Sequence, residues 1–131
     1  MKLEAKGRHI PPPTLQQPLE RVSLAVQALP GVISATHWDL FRPTVPDGAD
    51  FYVGEEELGH IHFSGDMHLA TSAPLAQALI AKGLARKFRY GGPAYADWTE
   101  FTISTVKDAA HAEWLFLLNY RRLKGETMSL R

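Results

Sequence analysis

The chain has 131 residues, 14 basic and 14 acidic side chains and no cysteine. That length suits one domain burying roughly two-thirds of its unfolded surface. The zero net charge argues against a broad footprint for nucleic acid or an anionic membrane. Lack of cysteine excludes disulfides, thiolate chemistry and Cys-type zinc sites; with no membrane-length apolar run and no apolar signal core, the sequence reads as cytoplasmic.

Residues 1–15 read as a flexible arm, stiffened locally by Pro11-Pro12-Pro13. Residues 16–124 read as one domain and 125–131 as a frayed tail. Helix 1 is expected over Gln17–Leu29, with Leu19, Val22, Val26 and Leu29 on one stripe and Pro30-Gly31 as its stop. Val32–Asp39 reads as a strand. His37 on it is structural or a neighbour of the site, a structural role being the preferred reading. Leu40–Asp50 reads as a loop because it holds Pro43, Pro46 and Gly48. Phe51–Val53 starts the central sheet, and Glu55-Glu56-Glu57 suits a turn.

Leu58–Phe63 alternates, which puts Ile61 and Phe63 on one face and His60 and His62 on the other. Ser64-Gly65-Asp66 is turn chemistry, and Met67–Thr71 resumes the strand. A three-residue loop over 64–66 sets Phe63 opposite Met67, His62 opposite His68 and Ile61 opposite Leu69. Ile61, Phe63, Met67 and Leu69 then form a buried face, and His60, His62 and His68 gather on the other.

Helix 2 is expected near Ala73–Lys82, capped by Ser72, with Leu75, Leu79 and Ile80 inward. Ala85–Tyr90 and Trp98–Ser104 read as strands. With Phe88, Phe101 and Ile103 inward, Lys87, Arg89, Trp98, Glu100 and Thr102 share the outward side. Helix 3 starts at Thr105-Val-Lys-Asp108, a variant capping box. Its expected inward stripe is Val106, Ala110, Trp114, Leu117 and Leu118. Strands in hairpin groups point to an α+β fold: a two-layer sandwich with an antiparallel sheet of about five or six strands. Three helices pack mainly on one face, leaving the other partly open.

The residues GEEELGHIHFSGDMHLA, then KGLARKF, then WTEFTISTVKDAAHAEWLFLLNY resemble the small bacterial "luciferase domain" family. The family pattern Glu-Leu-Gly-His-x-His is met by Glu57-Leu58-Gly59-His60-Ile61-His62, and His68 falls outside it. Gly83-Leu84-Ala85, Trp98, Asp108 and Asn119-Tyr120 match later positions. The resemblance covers about Gly31 to Tyr120 and implies an α+β domain; it implies neither light emission nor any particular reaction. More weakly, the element order is similar to small "double wing" proteins.

Two kinds of function fit the histidine face. The preferred one is an interaction or small-ligand-binding module on the open sheet face. His60, His62, Lys87, Arg89 and Trp98 would take a small anionic or aromatic ligand, or the face would pair with a second copy. The alternative is a metal-dependent enzyme. His60 and His62 lie about 7 Å apart along a strand and His68 about 5 Å across from one of them. Neutral imidazoles so placed suit zinc or another divalent ion, with Glu56 and Glu100 as further ligands.

Overall fold

The computed structural model describes residues 10–130. It is an α+β fold with a six-stranded antiparallel sheet and three helices. In chain order the elements are α1 (Leu19–Gln27), β1 (Val32–Trp38), β2 (Pro46–Val53), β3 (Glu56–His62), β4 (Asp66–Ala70), α2 (Ala73–Ala81), β5 (Arg86–Lys87), β6 (Trp98–Thr102) and α3 (Val106–Leu123). A 3-10 turn, Gly92–Tyr95, precedes β6. The strand order is β1-β2-β3-β4-β6-β5, so α2 carries the chain across from β4 to the far side of the sheet. Among the described residues no helix is long and apolar enough to cross a membrane.

One core joins helices to sheet. Leu19, Val22 and Val26 of α1, Leu79 of α2 and Leu115 and Phe116 of α3 meet Phe51, Leu58, Ile61, Met67 and Leu69. Ser72 caps α2 by accepting from the Leu75 N–H. At α3 the Thr105 side chain accepts from Asp108 N–H while the Asp108 carboxylate accepts from Thr105 N–H, a closed capping box. The buried face of α3 is Ala109, Ala112, Leu115, Phe116, Leu118, Asn119 and Tyr120; it keeps Leu118 of the expected stripe but is rotated from the rest, and Val106 is 67% exposed. Alanines at 109 and 112 let this side approach closely, so it wins over the bulkier Val106–Leu117 side. Ile80 on α2 likewise faces outward.

Several strand boundaries differ from the sequence reading. β2 begins at Pro46, because a proline at a strand's first residue costs no ladder bond. The β2–β3 turn is only Gly54-Glu55, with Val53 paired to Glu56 and Gly54 at φ +61°. The β3–β4 hairpin pairs Ile61 with Met67 and His60 with His68, and its loop is 63–65. That is two residues away from the expected register. A shift of two preserves the faces, whereas a shift of one would exchange them. Ile61, Met67 and Leu69 are therefore buried as expected, while Phe63 sits in the turn, 46% exposed.

Both ends of the chain depart from expectation where they are described. The carbonyls of Ile10 and Pro11 accept from the Thr36 amide (2.6 Å) and hydroxyl (2.8 Å), and Leu15 is in the core. The rest of the expected arm, residues 1–9, lies outside the described residues. At the other end Met128 and Leu130 pack on the core rather than fraying.

A bulge sets the geometry of the functional face. Phe51 pairs with Gly59 and Tyr52 with Glu57, so Leu58 has no partner on β2. The extra residue lets Leu58 enter the core while Glu57 turns to the side of His60. Gly59 lies beneath it: a Cβ there would stand 2.4 Å from the His68 carbonyl oxygen and 3.1 Å from the Phe116 ring. Gly59→Ala is expected to cost about 2–3 kcal/mol in chemical denaturation, as overpacking against backbone does. Thr105→Ala is expected to cost about 1 kcal/mol by removing the α3 cap.

Candidate functional site

Four histidines meet on the sheet face away from the helices. His60 and His62 come from β3, His68 from β4 and His37 from β1. The rings of His37 and His60 stack with centroids 4.1 Å apart. His62 lies edge-on to His37, His60 and His68, at 4.7, 4.9 and 4.9 Å. His60 and His68 are 5.0 Å apart.

Each ring is tethered from outside by a carboxylate. His37 Nδ1 meets Asp50 Oδ1 at 2.6 Å, His60 Nδ1 meets Glu57 Oε2 at 2.9 Å and His62 Nδ1 meets Asp47 Oδ2 at 2.8 Å. His68 Nε2 meets Glu100 Oε1 at 2.9 Å. A carboxylate accepts, so the ring nitrogen facing it carries the hydrogen. Two of the opposite nitrogens then face a third: His60 Nε2 and His62 Nε2 lie 3.0 and 3.2 Å from His68 Nδ1. With the His60 and His68 hydrogens on their carboxylates, the two rings turn lone pairs toward the contact between them, and His62 Nε2 faces the same His68 nitrogen. His37, His60 and His62 also offer ring nitrogens within 4.8 Å of one another, as do Asp50, Glu57 and His60 their ligand atoms.

Electrostatics favour neutral rings at His60 and His68. Burial, reinforced by His37, holds His60 well below its ordinary value of 6.5, against the pull of Asp50. Burial also lowers His68, partly offset by its bond to Glu100. Burial pushes Glu100 up, but bonds from His68, Arg86 and Arg89 outweigh it and keep it ionised. Arg86 Nη2 and Arg89 Nε reach Glu100 Oε2 at 3.1 and 2.8 Å. Burial, with Asp50 and Glu57 nearby, raises the Tyr52 phenol, which makes a long 3.4 Å bond to Asp50 Oδ2.

The expected site residues fall into two groups. His60, His62 and His68 are brought together, and Trp98 lies beside them, its ring 5.8 Å from His60. Arg89 reaches the cluster only through Glu100. Lys87 is a correction. It pairs with Thr99 on β6, so by strand alternation Arg86, opposite Glu100, holds the histidine side and Lys87 the other. Phe88 is another. β5 ends at Lys87, and the following segment folds over the sheet, placing Phe88 4.8 Å from His68 and 5.8 Å from Trp98. The face is accordingly not open at its centre. His60 and His68 are 9% and 4% exposed, and His62 is the better exposed of the three. Glu56 is exposed and not among these tethers, whereas Glu100 holds His68.

Sequence reasoning missed Asp47, Asp50 and Glu57, and preferred a structural role for His37 over a place near the site. The signal for the first two was hidden by Pro46 and Gly48, which suggested a loop. For Glu57 the signal was a Gly following Leu58 inside a strand, the mark of a bulge that brings residue i−3 onto the face of His60.

Residues 55–119 match the model of the family described as "Luciferase domain". That stretch includes Glu57, His60, His62, His68 and Glu100, and leaves out His37, Asp47 and Asp50. No curated protein and no solved structure matches the chain.

Folded His60 and His68 resist protonation, whereas in the unfolded chain they titrate near 6.5. Below that pH the unfolded state binds more protons, so stability must fall as pH drops. Urea denaturation in the presence of a chelator at pH 7.5, 6.5 and 5.5 is expected to show constant stability above 6.5 and a progressive loss below it. A pH-independent midpoint across the series would contradict the neutral assignment.

Proposed function

We propose that this chain, which belongs to the luciferase-domain family, binds a late first-row divalent metal ion of the zinc type through His60, His62 and His68. The observation that supports this reading is the approach of both His60 Nε2 and His62 Nε2 to His68 Nδ1, at 3.0 and 3.2 Å, with each ring's other nitrogen held by a carboxylate. Tetrahedral coordination with metal–nitrogen bonds near 2.0–2.1 Å separates ligand nitrogens by about 3.3 Å. The carboxylates complete the arrangement. They fix the tautomer, orient the ring and raise its basicity, as outer partners of metal-ligating histidines do. The absence of cysteine from the chain, together with imidazole donors, favours zinc, nickel, cobalt or copper over softer thiolate chemistry.

Three histidines leave a fourth tetrahedral position for water or a substrate oxygen, the arrangement of catalytic rather than structural sites. His37 is the candidate fourth ligand that would close the site. A small-ligand or self-association role on an open sheet face has less support, because His60 and His68 are buried and Phe88 and Trp98 cover part of that face.

Protein stripped with a chelator and titrated with Co2+ or Zn2+ is expected to bind one equivalent per chain and to melt at higher temperature. His62→Ala, the least buried ligand change, should lower affinity at least about tenfold, and Glu57→Gln about 10–100-fold. An unchanged affinity in His37→Ala would mark the fourth position as open. Failure of the stripped wild type to respond to any of zinc, cobalt, nickel or copper would remove the proposal.

A further inference from the structure

A cavity of about 320 Å³ lies at the end of the sheet where β4 finishes and β6 begins. It is separate from the point where the ring nitrogens converge. Its chemistry comes from Glu56, Asp97, Trp98 and Arg122, with Glu57 and Thr71 also on the wall. We infer that this cavity binds a small zwitterion of amino-acid size, carrying a carboxylate and an ammonium group. The inference goes beyond the metal reading and stands without it.

Arg122 supplies the anion-binding half. Its guanidinium is anchored by two neutral acceptors, Asn119 Oδ1 to Nε at 2.8 Å and the Ala70 carbonyl to Nη2 at 3.0 Å. That fixes the planar fork at the cavity while leaving further N–H donors for a carboxylate, the geometry arginine recognises in two-point fashion. Burial works against the charge of Arg122 and the attraction of Asp97 works for it. Yet Asp97 and Arg122 form no ion pair among those of the described residues. The two opposite charges border the same cavity without closing on each other. Asp97 and Glu56, both exposed carboxylates, supply the cation-binding half.

Trp98 supplies a wall. Its half-buried indole gives a flat apolar surface that favours both a planar side chain and an ammonium near its face. The volume is at the lower end of small-molecule sites, so the ligand is a single metabolite-sized unit rather than a peptide. Glu57 lines the cavity and also holds His60 Nδ1 at 2.9 Å. A ligand here would therefore lie against the residue that orients a histidine of the cluster.

The test is calorimetry and thermal shift with the twenty common L-amino acids, followed by the amide and N-acetyl derivatives of the best binder. Saturable binding is expected for at least one member with a flat side chain. Blocking either charged end, or substituting Asp97→Asn or Arg122→Gln, should weaken it about tenfold or more, the scale of a lost charge-assisted bond. Asp97 is exposed in a turn, so that variant keeps the test meaningful if Arg122→Gln fails to fold. His62→Ala should bind the ligand like wild type, whatever becomes of the metal reading. Absence of saturable binding by every amino acid, equal binding of the amide, or loss in His62→Ala without loss in Asp97→Asn would each overturn the assignment.

Discussion

The sheet face that carries the histidines depends on one backbone irregularity. A strand without a bulge would send Glu57 to the core side and Leu58 to the histidine side. It would bury a carboxylate among Phe51, Ile61 and Phe116 and leave a leucine among imidazoles. The extra residue at Leu58 exchanges them. Its cost is a backbone segment with no partner on β2, and α3 meets part of that cost: Asn119 Nδ2 donates to the Leu58 carbonyl at 2.9 Å and to the Ala70 carbonyl at 2.9 Å. A buried carbonyl left without a donor would cost about 1–3 kcal/mol. Gly59 leaves room for β4 and for the Phe116 ring of α3, since a Cβ there would stand 2.4 Å from the His68 carbonyl oxygen and 3.1 Å from that ring.

The polar layer is organised by a rule of alternation. Acceptors stand outside, ring nitrogens stand inside, and each carboxylate comes from a different point: Asp47 and Asp50 from β2, Glu57 from β3 and Glu100 from β6. Buried polar networks are favourable only when every member is satisfied. Here a carboxylate meets one nitrogen of each ring, while the other nitrogens of His60 and His62 face His68. Arg86 and Arg89 neutralise Glu100 from the solvent edge, which lets that carboxylate stay ionised although it is 1% exposed.

Much of this was legible in the residues. Alternation in Leu58–Phe63 separated the histidines from Ile61 correctly, and turn chemistry at Gly65 folded β4 back on β3. The register came out two residues away, an error that strand parity forgives. The carboxylates were hidden because their pairing is long-range. Asp47 meets a histidine 15 residues away and Glu100 one 32 residues away, and local pattern carries no information at that range. Pro46 misled because a proline reads as a loop until the strand's edge position is known. The α3 stripe misled because the helix is apolar on more than one side, and only the sheet decides which side is pressed inward. Phe88 misled because a strand was assumed to continue past its second residue.

Asn119 also ties the cluster to a distant part of the chain. It sits near the C-terminal end of α3 and binds carbonyls 61 and 49 positions earlier in the chain. As the polypeptide emerges during synthesis, every histidine of the cluster is exposed long before that amide arrives. Until then the Leu58 carbonyl must stay in contact with water, and the strand has no reason to hold its irregular path. The imidazole assembly thus leans on a side chain that synthesis delivers near the end of the described chain.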